Sequence, residues 1–266
     1  MNRITERFNR LASAGQKGFI VYITAGDPGL ETTRELALAF DRAEVDVLEL
    51  GVPFSDPLAD GTVNQLAAQR ALEAGTTPAQ VLATVAAIRR TATLPIVLYV
   101  YFNLIHRFGV ERFVREAAAA GVDGLLVLDL PPEEAEAYEP VMRAAGLCPI
   151  YLVAPTTPEA RLARIVSHGR GFVYYVSREG VTGMQTSVSQ TIAPMTALIR
   201  KHTALPIAVG FGISNPEQAR EVARHADAIV VGSAVVSRMA RHARDATLVP
   251  EVVTLVEGLA RAVKQP

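Results

Sequence analysis

The sequence predicts an α/β protein built as a (β/α)8 barrel, a TIM barrel, with an extra N-terminal helix and a single domain spanning residues 1–266. Three observations carry that expectation. Short, nearly continuous apolar runs alternate with longer stretches of helical period along the whole chain, as parallel strands covered on both faces require. Eight such runs can be counted, and a chain of 266 residues suits a barrel of that many units. No linker, low-complexity tract or change of composition divides it. A doubly wound open sheet satisfies the same alternation and stays open as the structural alternative.

The elements follow in order. Residues 2–14 are amphipathic and read as a helix closing the barrel floor. Strands are expected over 19–24, 46–51, 96–101, 123–128, 149–153, 171–176, 206–209 and 228–231, all rich in Val, Ile, Leu and Tyr. A weak internal rhythm supports the count. Asp46, Asp123 and Asp227 each stand at the start of an apolar run, and Pro95, Pro149 and Pro206 open three others, where Pro is tolerated as a first strand residue. Helices are expected after each strand, including 31–42, 110–120, 132–145, 158–166, 189–201 and 216–224. Pro132, Pro158 and Pro216 suit a first helical turn, where no N–H is lost.

Composition narrows the function. A hydrophobic content of 50% with 6% aromatics implies a large aliphatic core. A net charge of −1 makes no electrostatic case for nucleic acid. No apolar run is long enough for a bilayer, and the first residues lack the apolar segment of a signal peptide, so no membrane association and a cytoplasmic location are expected. The single Cys148 excludes an internal disulfide and any cysteine-cluster metal site. It opens the fifth strand away from the catalytic end and reads as an inert buried thiol.

In a barrel the chemistry sits at the C-terminal ends of the strands. Glu49 lies near the end of the second strand, inside a run otherwise apolar, where a carboxylate is costly unless it is paired or employed. Asp60 follows in a polar loop. One carboxyl in an apolar wall and one on a loop can have their pKa values pushed apart and so run acid–base chemistry. A structural Glu satisfied by backbone or Arg is the alternative. Tyr101 closes the third strand and Tyr174 lies near the end of the sixth, sharing a face with Phe172 and Val176. Glycine-rich turns follow the seventh strand, Gly210-Phe211-Gly212-Ile213-Ser214, and the eighth, Gly232-Ser233-Ala234. These are the ordinal positions of the common barrel phosphate site, with residues 233–240 as its short helix and Ser233 as N-cap. Residues 177–186 form a long polar loop that reads as a lid or a further phosphate contact.

Absences sharpen the chemistry. Lys17, Lys201 and Lys264 are the only lysines and none ends a predicted strand, which argues against a Schiff base. The five histidines, His106, His168, His202, His225 and His242, fall on helices or helix ends, which argues against a metal-dependent hydrolase or aldolase. The residues alone therefore point to a barrel enzyme without metal or lysine chemistry, binding a phosphate ester and moving protons with Glu49 and Asp60.

Several stretches resemble the alpha subunits of tryptophan synthase. They are Tyr22-Ile23-Thr24-Ala25-Gly26-Asp27-Pro28, the thirteen-residue block from Glu49 to Gly61, Asp129-Leu130-Pro131-Pro132-Glu133-Glu134, Ser177-Arg178-Glu179-Gly180-Val181-Thr182-Gly183, and the two glycine-rich turns, in the family's order. The resemblance implies retro-aldol cleavage of indole-3-glycerol phosphate to indole and glyceraldehyde 3-phosphate. It implies that Glu49 protonates indole C3, that Asp60 meets the indole N–H, and that Tyr174 positions the substrate. It further implies a phosphate cradle of Gly183, Gly212, Ile213, Gly232 and Ser233, an indole pocket with Tyr22, Tyr101 and Phe211, and a lid residue Thr182 that reaches Asp60. Pro53, an exposed Phe54, Asp56, Asn103 and Pro131 match the family's docking face for a beta subunit. That partner carries the pyridoxal phosphate in an α2β2 tetramer, and no cofactor is expected in this chain. A stand-alone lyase and a non-catalytic activator of the beta subunit are the alternatives. The chain departs from the family at Tyr99, where Leu or Met is usual, and at Leu128, where a smaller residue or Pro is common. It also departs at Thr62, in place of a common Pro, and along Met184-Gln185. If Tyr99 and Leu128 both point inward, the pocket is tighter than usual.

Overall fold

Alternate residues of an apolar run face opposite ways, and both faces are buried here. The computed structural model describes residues 2–177 and 188–264, with side chains from 192 onward in the second stretch. Eight parallel strands close into a barrel in sequence order: β1 (Gly18–Thr24), β2 (Val47–Gly51), β3 (Ile96–Val100), β4 (Gly124–Val127), β5 (Cys148–Val153), β6 (Val173–Val176), β7 (Ile207–Gly210) and β8 (Ala228–Val231). Closure is made by β1 on β8, with Gly18 beside Ala228 and Val21 beside Val231. Inward residues such as Ile20, Val47, Val97, Leu126, Ile150 and Phe172 form one cluster. Their outward neighbours Phe19, Val21, Leu48, Leu98, Leu125 and Val173 pack under the helices. The barrel expectation holds, and the open sheet is excluded by the β1–β8 ladder.

The helices are α1 (Arg3–Ser13), α2 (Leu30–Arg42), α3 (Thr62–Glu73), α4 (Pro78–Arg89), α5 (Phe102–Phe108), α6 (Val110–Ala120), α7 (Glu139–Ala144), α8 (Glu159–His168), α9 (Val188–Arg200), α10 (Pro216–Ala223), α11 (Ser233–Arg241) and α12 (Leu248–Lys264). Helix α1 is the expected floor. Asn2 caps it by accepting from Ile4 N, and its amide donates to Asp123 O at 2.7 Å and Gly146 O at 2.9 Å. Ile4, Phe8 and Leu11 then plug the barrel bottom, each burial stabilising by roughly 1.5–3 kcal/mol.

The floor is also where the three strand-opening aspartates are satisfied, each accepting from the N–H of a residue on the preceding strand. Phe19 N donates to Asp46 Oδ2 at 2.9 Å, Ile96 N to Asp123 Oδ2 at 2.8 Å, and Ile207 N to Asp227 Oδ2 at 2.9 Å. A guanidinium completes each: Arg7 on Asp46 at 3.1 Å, Arg89 on Asp123 at 2.7 Å, and Arg200 on Asp227 at 2.7 Å. The rhythm seen in the sequence is thus a repeated carboxylate tie between neighbouring strands.

Four expectations need correction. The helix expected over 132–145 is a 3-10 turn, Pro132–Glu134, followed by the short α7. Pro140 has no N–H to donate into a preceding turn, so α7 starts where Pro140 can sit in its first turn. One helix per strand is too few. Twelve α-helices are present among the described residues, with α3 and α4 together joining β2 to β3, and α5 and α6 together joining β3 to β4. Tyr101 does not close the third strand. The strand ends at Val100, and Tyr101 is the N-cap of α5. Phe54 is half-buried rather than exposed, because its ring packs on Tyr101 with centroids 5.0 Å apart. Leu58, 90% exposed, is the bare apolar residue of that loop.

Candidate active site

The C-terminal ends of the strands surround a cavity of about 670 Å³. Tyr22, Glu49, Asp60, Tyr174, Phe211, Gly212, Gly232 and Ser233, all singled out in the sequence, line it together. Tyr99 and Leu128 line it as well, so both departures from the family pattern point inward.

Glu49 comes from the middle of β2, paired with Tyr22 on β1 and Val97 on β3. It is 2% exposed, and its Oε1 has no hydrogen-bond partner among the described residues. Burial, and then the negative charge of Asp60, push its carboxyl up to about 8, so it is a protonated acid at neutral pH. Tyr22 and Tyr174 flank it. Burial holds both phenols well above their ordinary range, so both are neutral. The close approach of the Tyr22 ring to β2 depends on Gly51, since a Cβ there would collide with the Tyr22 hydroxyl.

Asp60 sits on the loop before α3, and the loop is built to hold it. Asp60 N donates to Pro57 O at 3.0 Å, and Gln65 Nε2 donates to Asp60 O at 3.0 Å. A bidentate pair from Arg70 to Asp27, at 2.8 and 2.7 Å, fastens α3 to the turn after β1. Its carboxylate takes two phenol donors, Tyr99 to Oδ1 at 2.7 Å and Tyr101 to Oδ2 at 2.9 Å. Tyr101 therefore stands behind Asp60, and its hydroxyl also accepts from Ala59 N at 3.0 Å.

The far side of the cavity is backbone. Gly212 has φ +59°, a left-handed conformation that side chains disfavour, and a Cβ built on it points into open space. Helix α11 opens at Ser233, with Gly232 as its N-cap and no side-chain cap. This corrects the expectation that Ser233 is the cap. Without a capping side chain among the described residues, the first-turn N–H groups can face an anion, and the helix dipole favours one. Ile213 is buried in the outer core and can contribute only through its backbone. Gly183 and Thr182 lie outside the described residues.

The expected docking residues follow three consecutive strands: Pro53, Phe54 and Asp56 on the loop after β2, Asn103 in the first turn of α5 after β3, and Pro131 on the segment after β4. Asp56 and Asn103 are exposed, Pro131 and Phe54 are half-buried, and Pro53 is buried. Among the described residues no His, Cys, Asp or Glu cluster could hold a metal ion. No helix among them is long and apolar enough to cross a membrane.

Sequence reasoning missed two features. Asn64, in the first turn of α3, lines the cavity with a buried Oδ1 that has no partner among the described residues, and no local pattern marks it. The bond from Tyr99 to Asp60 was also missed. Its signal was present, because Tyr99 and Tyr101 share a face of one extended segment.

Arranged this way, the cavity offers a neutral carboxylic acid, an anchored carboxylate and a backbone anion cradle. It can protonate a bound molecule, stabilise a developing cation and hold a phosphate. Residues 8–264 match the family model described as tryptophan synthase alpha chain. A tryptophan synthase alpha chain from Opitutus terrae is 54% identical, covering 89% of each chain. One from Pelobacter propionicus is 47% identical over 99% of this chain and 98% of its own. The crystal structure of tryptophan synthase subunit alpha from Legionella pneumophila is similar with a TM-score of 0.92 and 36% identity, covering 100% of both chains. A Mycobacterium tuberculosis tryptophan synthase structure is similar with a TM-score of 0.91 and 33% identity, covering 100% of this chain and 99% of that one.

Proposed function

This chain belongs to the tryptophan synthase alpha chain family, lyases that cleave indole-3-glycerol phosphate in tryptophan biosynthesis beside a beta subunit, and from that premise we propose which of its residues carry the reaction. The single observation that carries the proposal is Glu49, a buried carboxyl with an oxygen unpartnered among the described residues, raised to about 8, facing the cavity that Asp60 shares.

Glu49 donates its proton to indole C3, which becomes tetrahedral while positive charge develops at the ring nitrogen. Asp60 faces that nitrogen and stabilises the charge. The bond from C3 to the glycerol chain then breaks. Its electrons restore the aromatic ring, and the adjoining hydroxyl gives its proton to the Glu49 carboxylate as its carbon becomes the aldehyde of glyceraldehyde 3-phosphate. One residue thus serves as acid and then base, and the proton count closes. Tyr174 and Tyr22 hold the substrate against Glu49, with Phe211 on the indole. Gly212, Gly232, Ser233 and the backbone at Ile213 hold the phosphate, with Gly183 from the loop. Thr182 of that loop is assigned to meet Asp60.

The chain needs no cofactor of its own, and pyridoxal phosphate belongs to the beta subunit. The two form an α2β2 tetramer, docked here through Pro53, Phe54, Asp56, Asn103 and Pro131. A substrate and product that both carry a phosphate do not cross membranes freely, which supports a cytoplasmic location. Indole release from indole-3-glycerol phosphate, measured with this chain alone and with a tryptophan synthase beta subunit, tests the assignment. Slow release alone with strong activation by the partner is expected. Fast release indifferent to the partner overturns the two-subunit assignment, and no release under either condition overturns the chemistry.

A further inference from the structure

A carboxylate on a loop has its side-chain torsions to fix before it can face a developing charge at a set angle. Asp60 has both oxygens taken by phenols that come from one short stretch, Tyr99 in β3 and Tyr101 just beyond it. The two phenols differ in what else they do. Tyr101 also accepts from Ala59 N at 3.0 Å and packs on Phe54, so it is part of the loop's own scaffold. Tyr99 stands on the cavity wall, its ring edge-on to Tyr22 at 5.0 Å, and among the described residues its hydroxyl bonds Asp60 alone.

We propose that Tyr99 is a positioning residue for the lyase reaction, its hydroxyl fixing Oδ1 of Asp60 from the rigid wall of β3 so that the carboxylate meets the ring nitrogen of the substrate in one orientation. The proposal rests on the role given to Asp60 above. With Tyr101 alone, the carboxylate can swing about its Cβ–Cγ bond. With both donors it is held at two points, as a forked donor holds it elsewhere. Each carboxylate oxygen accepts more than one hydrogen bond, so Tyr99 on Oδ1 leaves room for the ring N–H. Burial and the charge of Asp60 raise the Tyr99 phenol well above its ordinary range, so it remains a donor at any working pH. The hydroxyl thereby acts on the transition state, where the charge develops, rather than on the ground state.

The Tyr99→Phe variant isolates this. It keeps the ring, the edge contact with Tyr22 and the shape of the wall, and removes one donor. In the complex with the beta subunit, kcat for indole release is expected to fall about tenfold with KM within about twofold of wild type, the pattern of an interaction made in the transition state. Thermal melting checks that the variant is folded. In an Asp60→Asn background the same change is expected to alter kcat by less than about twofold, because the group it positions has lost its charge. Wild-type kcat in Tyr99→Phe, a loss confined to KM, or the full loss repeated in the Asp60→Asn background each overturns the positioning role. The wild type in the same assay separates the two levels. If it releases no indole, the proposed function itself falls. If it is active and Tyr99→Phe matches it, only the role of Tyr99 does.

Discussion

At the floor of the barrel, Asp46 is 1% exposed and Asp123 3%, and at the mouth Glu49 is 2% exposed. All three are acids deep in an apolar barrel, and what separates them is their partners. Each floor aspartate takes a strand N–H and a guanidinium. Glu49 has an oxygen that nothing meets among the described residues and the charge of Asp60 for a neighbour. Burial raises Asp123 as well, but there Arg89, the Ile96 N–H and Arg3 pull it back toward the charged form. Among the described residues no such pull acts on Glu49. The contrast shows why an acid is stable at both ends yet has different uses. A paired carboxylate ties strands together, and an unpaired one keeps its proton until a substrate can take it.

The largest effect that tests this contrast is on rate. Glu49→Gln preserves size and removes the transferable proton, so kcat should fall about a thousandfold or more with substrate affinity nearly unchanged. Near-normal turnover would remove Glu49 from the mechanism.

The next effect is on stability, and it runs the opposite way. The folded chain holds the Glu49 proton up to about 8, against 4.5 for the unfolded group, so between those values the folded state binds more protons than the unfolded one. The contribution of Glu49 to stability therefore falls as pH rises through that window. Relative to wild type, Glu49→Gln should be equally stable near pH 4 and more stable above pH 8, by on the order of 3–5 kcal/mol at most. Urea unfolding across pH reads the difference, and a gap that does not grow with pH would mean that Glu49 is not held neutral.

At the floor, Asp123→Ala leaves Arg89 and the Ile96 N–H without their partner and should cost about 3 kcal/mol. The folded fraction should keep its kcat. A lost rate in stable protein would mean that the floor takes part in catalysis.

Smallest is the cradle. Gly212→Val puts a side chain into open space at a left-handed backbone position and should weaken glyceraldehyde 3-phosphate binding about tenfold, in part through backbone strain. An unchanged dissociation constant by calorimetry would place the phosphate elsewhere.

Much of this arrangement is legible before folding. The pleat of a strand repeats every second residue, so the apolar runs alone mark the strands, their two faces and which ends carry chemistry. Glu49 stands out because it interrupts such a run, and Gly212 and Gly232 stand out by following the seventh and eighth. Helix boundaries were less legible. Pro140 fits a first turn wherever a helix begins around it, and local pattern did not divide the connections holding α3 with α4 and α5 with α6.

The sequence by itself determined the alternation of strands and helices, the ends of the strands that carry chemistry and the candidate acid among them, since each follows from local periodicity and from a residue type that breaks it, while the β1–β8 ladder decided for a barrel over an open sheet. Only the tertiary structure decided which carboxylates have partners. Asp123 meets Arg89 across 34 residues of chain, and Asp60 meets Tyr99 across 39. Those meetings exist because the parallel pairing of β2 with β3 and β3 with β4 brings the connections of neighbouring units together, and no local pattern encodes that distance.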